Sequence, residues 1–367
     1  MRFAHITGWG MATPDKIITN SDLESRIDTT DQWIVERTGI SQRRIAREGE
    51  TTASLGELAA WRALSIANLR PMDLDLIICA TSSPEYLFPA TACIIQDRLG
   101  AKKAGAFDLS AACSGFIFAV NMATQAIRTE SIRSALVIGA ETLSRLTDWN
   151  DRNTCILFGD GAGAIVLQAS DMPGGVLSAV MHADGSGADL LLVPGGGSRH
   201  PTSAETVRAG MHYIKMDGRE VFRFATRAMA NATKEALRAA NLKANEISWV
   251  IPHQANLRII EAAAKNMKIP FDRFIINIDR YGNTSTASIP IALCEAVTAG
   301  KFALGDKLIF VGFGAGLTWG ALVAEWTGPL ASDRKVRPVL YQFWARIHSI
   351  FMRIIRFVEG LIWGNRG

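Results

Sequence analysis

Three residues of this chain could together make and break acyl bonds: Cys113, His253 and Asn283. A cysteine can carry an acyl group as a thioester, and His253 and Asn283 are its candidate partners. Cys113 lies in Ala106-Phe107-Asp108-Leu109-Ser110-Ala111-Ala112-Cys113-Ser114-Gly115-Phe116, an apolar run giving way to small residues and then to a helix-like run from Phe116 to Ile127. That order predicts a strand-to-helix turn, with the sulfur near a helix N-terminus where the dipole and unpaired N–H groups favour thiolate. His253, in Ile251-Pro252-His253-Gln254-Ala255-Asn256, and Asn283, in Tyr281-Gly282-Asn283-Thr284-Ser285, each follow an apolar segment. Open α/β sheets place their reacting groups beyond such strand ends. Cys79, Cys93, Cys155 and Cys294 read as inert buried residues.

The elements that must position these groups are legible as short β-branched runs alternating with helix-like stretches, namely Leu76–Cys79, Ala135–Ile138, Trp249–Ile251 and Leu308–Val311. This is the pattern of buried strands in an α/β fold. The pattern also repeats. Ala63-Leu64, Asn68-Leu69, Asp73-Leu74 and Ile77-Ile78 recur 173 residues later as Ala236-Leu237, Asn241-Leu242, Glu246-Ile247 and Val250-Ile251. At the same offset Leu136-Val137-Ile138-Gly139 answers Ile309-Phe310-Val311-Gly312. The expected organisation is a duplication, with halves at 1–170 and 171–330 and an extension at 331–367. Cys113 and Asn283, 170 residues apart, are expected at corresponding corners facing each other across a pseudo-twofold.

Two glycine-rich stretches, Phe158–Ala164 and Gly312–Gly320, lack the Gly-Lys-Ser/Thr ending of a phosphate loop and do not open a dinucleotide unit. They read instead as tight turns that bring backbone N–H groups toward a reacting oxygen.

At 48% hydrophobic and 20% charged residues, the 367-residue chain reads as globular. Five cysteines without a CxxC pair argue against a disulfide framework or a zinc site, and for a reducing, cytoplasmic setting. The N-terminal apolar run breaks too early for a signal peptide. The net charge of +4 is unevenly placed, because residues 331–367 alone carry +5 and the rest −1. Basicity therefore gives no argument for a nucleic-acid partner; it belongs to an appendage.

In that appendage, Leu340, Phe343, Trp344, Ile347, Ile350, Phe351, Ile354, Val358 and Leu361 recur in steps of three and four. The spacing predicts an amphipathic helix from Pro338 to Trp363, ended by Gly364-Asn365. Arg346, Arg353 and Arg356 interrupt the run, so a helix lying in a membrane interface is expected rather than a spanning one. Packing of the stripe on the body or on another subunit is the alternative.

The chain resembles the β-ketoacyl-acyl-carrier-protein synthase III family, condensing enzymes that initiate bacterial fatty acid synthesis. The resemblance runs from residue 1 to about 328. It is carried by Thr29–Ile40, the Ala-Ala-Cys-Ser-Gly-Phe turn, Asp148–Thr154, Pro252–Ile259, Gly282–Ser285 and Gly-Phe-Gly-Ala-Gly-Leu-Thr-Trp-Gly at 312–320. It implies a duplicated thiolase-like αβαβα sandwich, here with the C-terminal amphipathic helix added. It also implies that Cys113 takes an acyl group from acyl-CoA, with the backbone N–H groups of Cys113 and Ala315 as oxyanion hole. Malonyl-acyl-carrier protein would then lose CO2, its carbanion stabilised by donation from His253 and Asn283, and would attack the Cys113 thioester. No metal or cofactor is implied beyond the coenzyme A thioester as substrate.

By the same resemblance, Trp33 and Arg152 sandwich the adenine of coenzyme A, Arg37 meets phosphate, and Thr29, Gly218, Phe222 and Asn256 complete that site. Phe88 is implied to close the acyl pocket of a homodimer partner. Arg223, Arg258 and Lys265, supported by Arg227, are expected to dock the acidic carrier protein. Ala315 departs from the family's glycine, Asn266 replaces a second lysine, and 331–367 lies beyond the family's usual end. A homologue priming a polyketide or other specialised pathway, and a non-catalytic partner subunit, stay open as alternatives.

Overall fold

The computed structural model describes residues 2–329 and 338–363, with side chains described for 2–329 and 341–359. The first large sheet holds β1 (Phe3–Ala12), β2 (Leu76–Ala80), β3 (Gly105–Leu109), β4 (Ser134–Thr142) and β5 (Asp160–Ser170), in the order β1-β5-β4-β2-β3. The second holds β6 (Gly175–Ala183), β7 (Trp249–Pro252), β8 (Lys307–Gly314) and β9 (Thr318–Glu325), in the order β7-β8-β9-β6. Pairings β2–β3, β2–β4 and β7–β8 are parallel, and the others are antiparallel.

The helices used below are α1 (Asp31–Thr38), α2 (Thr52–Ala67), α3 (Thr91–Leu99), α4 (Gly115–Arg128), α5 (Gly218–Ala239), α6 (Leu257–Met267), α7 (Ser288–Thr298) and α8 (Pro338–Trp363). Helices α4 and α7 lie between the sheets, where Phe116, Val120, Ile289 and Leu293 share one core with Val137, Ile165, Phe310 and Leu322. Helices α2 and α3 cover the outer face of the first sheet, and α5 and α6 that of the second. The result is the αβαβα sandwich that the resemblance implies.

Strand β4 shows why its run is apolar on both faces. Ala135 and Val137 enter the core between the sheets, while Leu136 and Ile138 enter the outer core beneath α2.

The repeat is written into the backbone. β7 starts 173 residues after β2, β8 after β4, and α7 after α4. Ala112 (φ 46°) and Ser285 (φ 48°), also 173 apart, each open a 3₁₀ turn that feeds α4 or α7. In this register the counterpart of Cys113 is Thr286. Asn283 lies three residues earlier, which corrects the expected correspondence between Cys113 and Asn283.

Two further expectations change, and the alternative that the α8 stripe packs on the body falls. The first glycine-rich stretch is no turn, because Asp160–Ala164 opens β5; a Cβ on Gly163 would stand 2.6 Å from Pro290 Cβ, so glycine lets β5 lie against α7. Cys93 is exposed rather than buried. The apolar stripe of α8 is exposed and does not pack on the body. The basic stretch 331–337 and the expected helix end at Gly364-Asn365 lie outside the described residues, as do the side chains of Leu340 and Leu361.

Candidate active site

Cys113, His253 and Asn283 line one cavity of about 1290 Å³. Cys113 follows β3 and His253 follows β7, as the strand-end rule requires, whereas Asn283 follows no strand and is bridged to Phe158 just before β5. Gly314, at the end of β8, closes on the nucleophile's turn; a Cβ there would stand 2.6 Å from the Cys113 nitrogen. Thr318 pins this approach, donating between the Ala111 and Ala315 carbonyls at 2.9 Å from each and accepting from Ser114 Oγ at 2.9 Å. Ala315 is not among the residues with positive φ, so the substitution for glycine leaves an ordinary backbone.

The electrostatics of the thiol differ from expectation. Cys113 lies at the N-terminal end of α4, yet burial pushes its thiol up to about 12, with the carboxylate of Glu141 adding to the rise and hydrogen bonding from Ser285 opposing it. Desolvation of the charged form outweighs the helix terminus here, so the resting group is a thiol. Glu141 itself is fully buried and held by the Ser82 amide, Ser83 Oγ (2.6 Å) and Thr286 Oγ1 (3.0 Å).

His253 is 1% exposed, and burial lowers its pKa to about 3, so the imidazole is neutral. Its Nδ1 lies 2.7 Å from Ser288 Oγ, and its buried Nε2 has no partner among the described residues. Asn283 Oδ1 accepts from the Ser285 amide at 2.8 Å. That bond fixes the side chain's orientation and leaves the Nδ2 protons as donors. Sequence reading missed Ser285, Ser288 and Glu141. Ser285 stands inside the Gly282–Ser285 motif, but only the turn into α7 brings Ser288 beneath the imidazole.

The residues implied for coenzyme A gather on one wall. Thr30 caps α1 by accepting from the Trp33 amide (3.1 Å), so Trp33 and Arg37 fall one turn apart and the guanidinium stands 4.6 Å over the indole. Arg152 lies 4.8 Å from the same ring and is held by the Asp28 carbonyl at 3.0 Å. Neither spacing admits an adenine, so Arg152 must swing away to form a sandwich. Asn256 caps α6 through the Arg258 amide and donates to the Arg37 carbonyl at 2.9 Å, joining two walls of the cavity. Gly218 and Phe222 line the cavity; Thr29, Arg152 and Ala315 are not among its lining residues, although Ala315 directly follows Gly314, which is.

Arg223 and Arg258 also line it, the first paired to Glu220 (2.6 Å) and the second 5.9 Å over the Phe222 ring. Lys265 lies further along α6 and away from the cavity. Phe88 is 86% exposed and takes no part in this chain's own cavity. Among the described residues no cluster of three His, Cys, Asp or Glu is placed to hold a metal ion.

A buried thiol, a neutral imidazole and an outward-turned amide in one cavity of a thiolase-like sandwich define a condensing enzyme of the acyltransferase type. Residues 107–185 match the family model described as 3-oxoacyl-[acyl-carrier-protein (ACP)] synthase III, and 237–326 match its C-terminal model. The chain is 50% identical over 325 residues to the β-ketoacyl-[acyl-carrier-protein] synthase III of Roseiflexus castenholzii, covering 89% of this chain and 98% of that protein. It superposes on the 3-oxoacyl-[acyl-carrier-protein] synthase III of Aquifex aeolicus VF5 with a TM-score of 0.82 at 47% identity, covering 88% and 100% of the two chains. The priming β-ketosynthase of the R1128 polyketide biosynthetic pathway gives 0.84 at 35% identity, covering 90% and 98%. The chain belongs to the β-ketoacyl-[acyl-carrier-protein] synthase III family.

Proposed function

We propose that this protein condenses an acyl-CoA starter, acetyl-CoA or another short acyl-CoA, with malonyl-acyl-carrier protein, giving a β-ketoacyl-carrier protein and initiating fatty acid biosynthesis. The observation that carries this reading is the convergence of Cys113, His253 and Asn283 on one cavity, with Nε2 and Nδ2 free to act. Relatives at about 50% identity carry the synthase III name, whereas the polyketide priming enzyme stands at 35%. That ranking favours the fatty-acid role over a specialised pathway.

One proton serves both halves of the reaction. The Cys113 thiol gives it to His253 Nε2 as sulfur attacks the acyl-CoA carbonyl, and the tetrahedral oxygen is held by the N–H groups of Cys113 and Ala315. The C–S bond to coenzyme A breaks and its thiolate leaves. Malonyl-carrier protein then loses CO2, and the electron pair of the broken C–C bond passes into an enolate. The Asn283 amide and the N–H newly formed on His253 donate to that oxygen. The carbanion attacks the Cys113 thioester, and the departing cysteine sulfur recovers its proton from His253. The negative charge that arrives on the malonyl carboxylate departs on coenzyme A.

The same reading makes the protein a cytoplasmic homodimer with a peripheral membrane contact through 338–363. Dimerisation is supported by β3, an edge strand whose partner among the described residues is β2 alone, and by the neighbouring exposed Tyr86-Leu87-Phe88 loop. Phe88 then serves the partner's acyl pocket, and the halves 1–170 and 171–330 are one duplicated unit. Radiolabelled acetyl-CoA should label Cys113, and adding malonyl-carrier protein should transfer the label into a β-ketoacyl product. A labelled enzyme that condenses nothing would overturn the reading.

A further inference from the structure

Helix α8 is apolar on the face it turns away from the protein. Eight large side chains between Phe343 and Val358, among them Trp344 (64%), Phe351 (57%) and Phe357 (69%), are 42–69% exposed. At about 100° per residue they fall within one arc of roughly 140°. The opposite arc meets the body. There Ala345, 7% exposed, closes on Gly100, Ser349 Oγ donates to Asp97 Oδ2 at 2.7 Å, and Arg353 stands 3.8 Å from the same carboxylate. The helix is thus fastened to the end of α3 by one face and leaves a long apolar face uncovered.

We infer that this face seats the protein on an anionic lipid surface. The charge argues for lipid over a second copy. Helix α8 carries Arg346, Arg353 and Arg356 against Glu359 alone, so pairing two such helices face to face would bring like charges together, whereas anionic headgroups neutralise them. Arg346 is exposed and borders the apolar arc, within reach of a headgroup. No helix among the described residues is long and apolar enough to cross a membrane, so α8 lies along the surface. The place of attachment has a consequence for turnover. Gly100 precedes the start of β3, while Cys113 follows its end, so the helix docks at the far end of that strand from the nucleophile. Seating on lipid leaves the cavity free for carrier protein.

This inference gives a face and a lipid charge to the membrane contact proposed above, and it does not depend on the chemistry at Cys113. The full-length protein is sedimented with phosphatidylcholine vesicles, with and without phosphatidylglycerol, while condensation is assayed separately in solution. Binding to the anionic vesicles is expected at low salt, falling by about tenfold in high salt. It should be lost in an Ile350→Glu, Phe351→Glu double variant that condenses at the parental rate. Three results would each overturn the inference: no sedimentation, equal binding to neutral vesicles, or binding retained by the double variant. A lipid-free doubling of mass by light scattering, reversed by the same substitutions, would assign the face to a second copy instead. Vesicle binding by a protein inactive toward acetyl-CoA and malonyl-carrier protein would sink the condensing role and leave this inference standing.

Discussion

Nδ1 of His253 lies 2.7 Å from Ser288 Oγ, and that hydroxyl donates to the Ser285 carbonyl at 2.8 Å. Its single proton is thereby committed, so Ser288 accepts from Nδ1–H and the Nε2 facing Cys113's cavity carries a lone pair. Resting His253 is therefore an acceptor, and it becomes the donor expected from sequence only after taking the Cys113 proton. Ser288→Ala frees the tautomer and should slow single-turnover acylation by acetyl-CoA about tenfold or more, with Ser288→Thr retaining most of the rate. Acylation unchanged in the alanine variant would remove Ser288 from the mechanism.

The buried thiol makes a pH prediction. With burial holding Cys113 up to about 12, the thiolate fraction of the empty enzyme grows with every rise in pH across the neutral range. Alkylation of Cys113 by iodoacetamide should climb about tenfold per unit from about pH 7 to 9 without levelling. Cys113→Ser should abolish both alkylation and acyl transfer. A plateau reached by neutral pH would show a resting thiolate instead.

Asn283 offers its Nδ2 protons because Oδ1 is tied to the Ser285 amide. Asn283→Ala should reduce decarboxylation of malonyl-carrier protein by about 10²–10³-fold, the usual loss for one oxyanion donor. Asn283→Asp should be worse, since a carboxylate repels the enolate. Acylation of Cys113 should be spared in both. Acylation falling in parallel with decarboxylation would mean that the amide holds the cavity together and does not act on the enolate.

Arg258 stands at the cavity over Phe222, with Lys265 seven residues along the same helix. A carrier protein docking there should lose affinity on charge reversal. Arg258→Glu is expected to raise the KM for malonyl-carrier protein several-fold while leaving that for acetyl-CoA near the parental value, and added salt should narrow the difference. An equal rise for both substrates would assign Arg258 to coenzyme A.

What the sequence determined by itself was whatever is local or periodic. The 3.6 period of Phe343–Val358 determined α8, the β-branched runs determined β2, β4, β7 and β8, and the 173-residue offset determined the pairing of their surroundings. The types of Cys113, His253 and Asn283 likewise announced acyl chemistry before any geometry. What the tertiary structure decided depends on water and on distant neighbours. Burial, not the end of α4, determines the thiol's protonation, and no window of sequence around Cys113 measures how much solvent the two sheets exclude. The tautomer of His253 rests on a serine 35 residues away. The turn after Asn283 brings that serine beneath the ring. The exposed side of α8 was equally undetermined, because a helix with apolar residues on both faces can bury either one, and here contacts with Gly100 and Asp97 chose the face of Ala345 and Ser349.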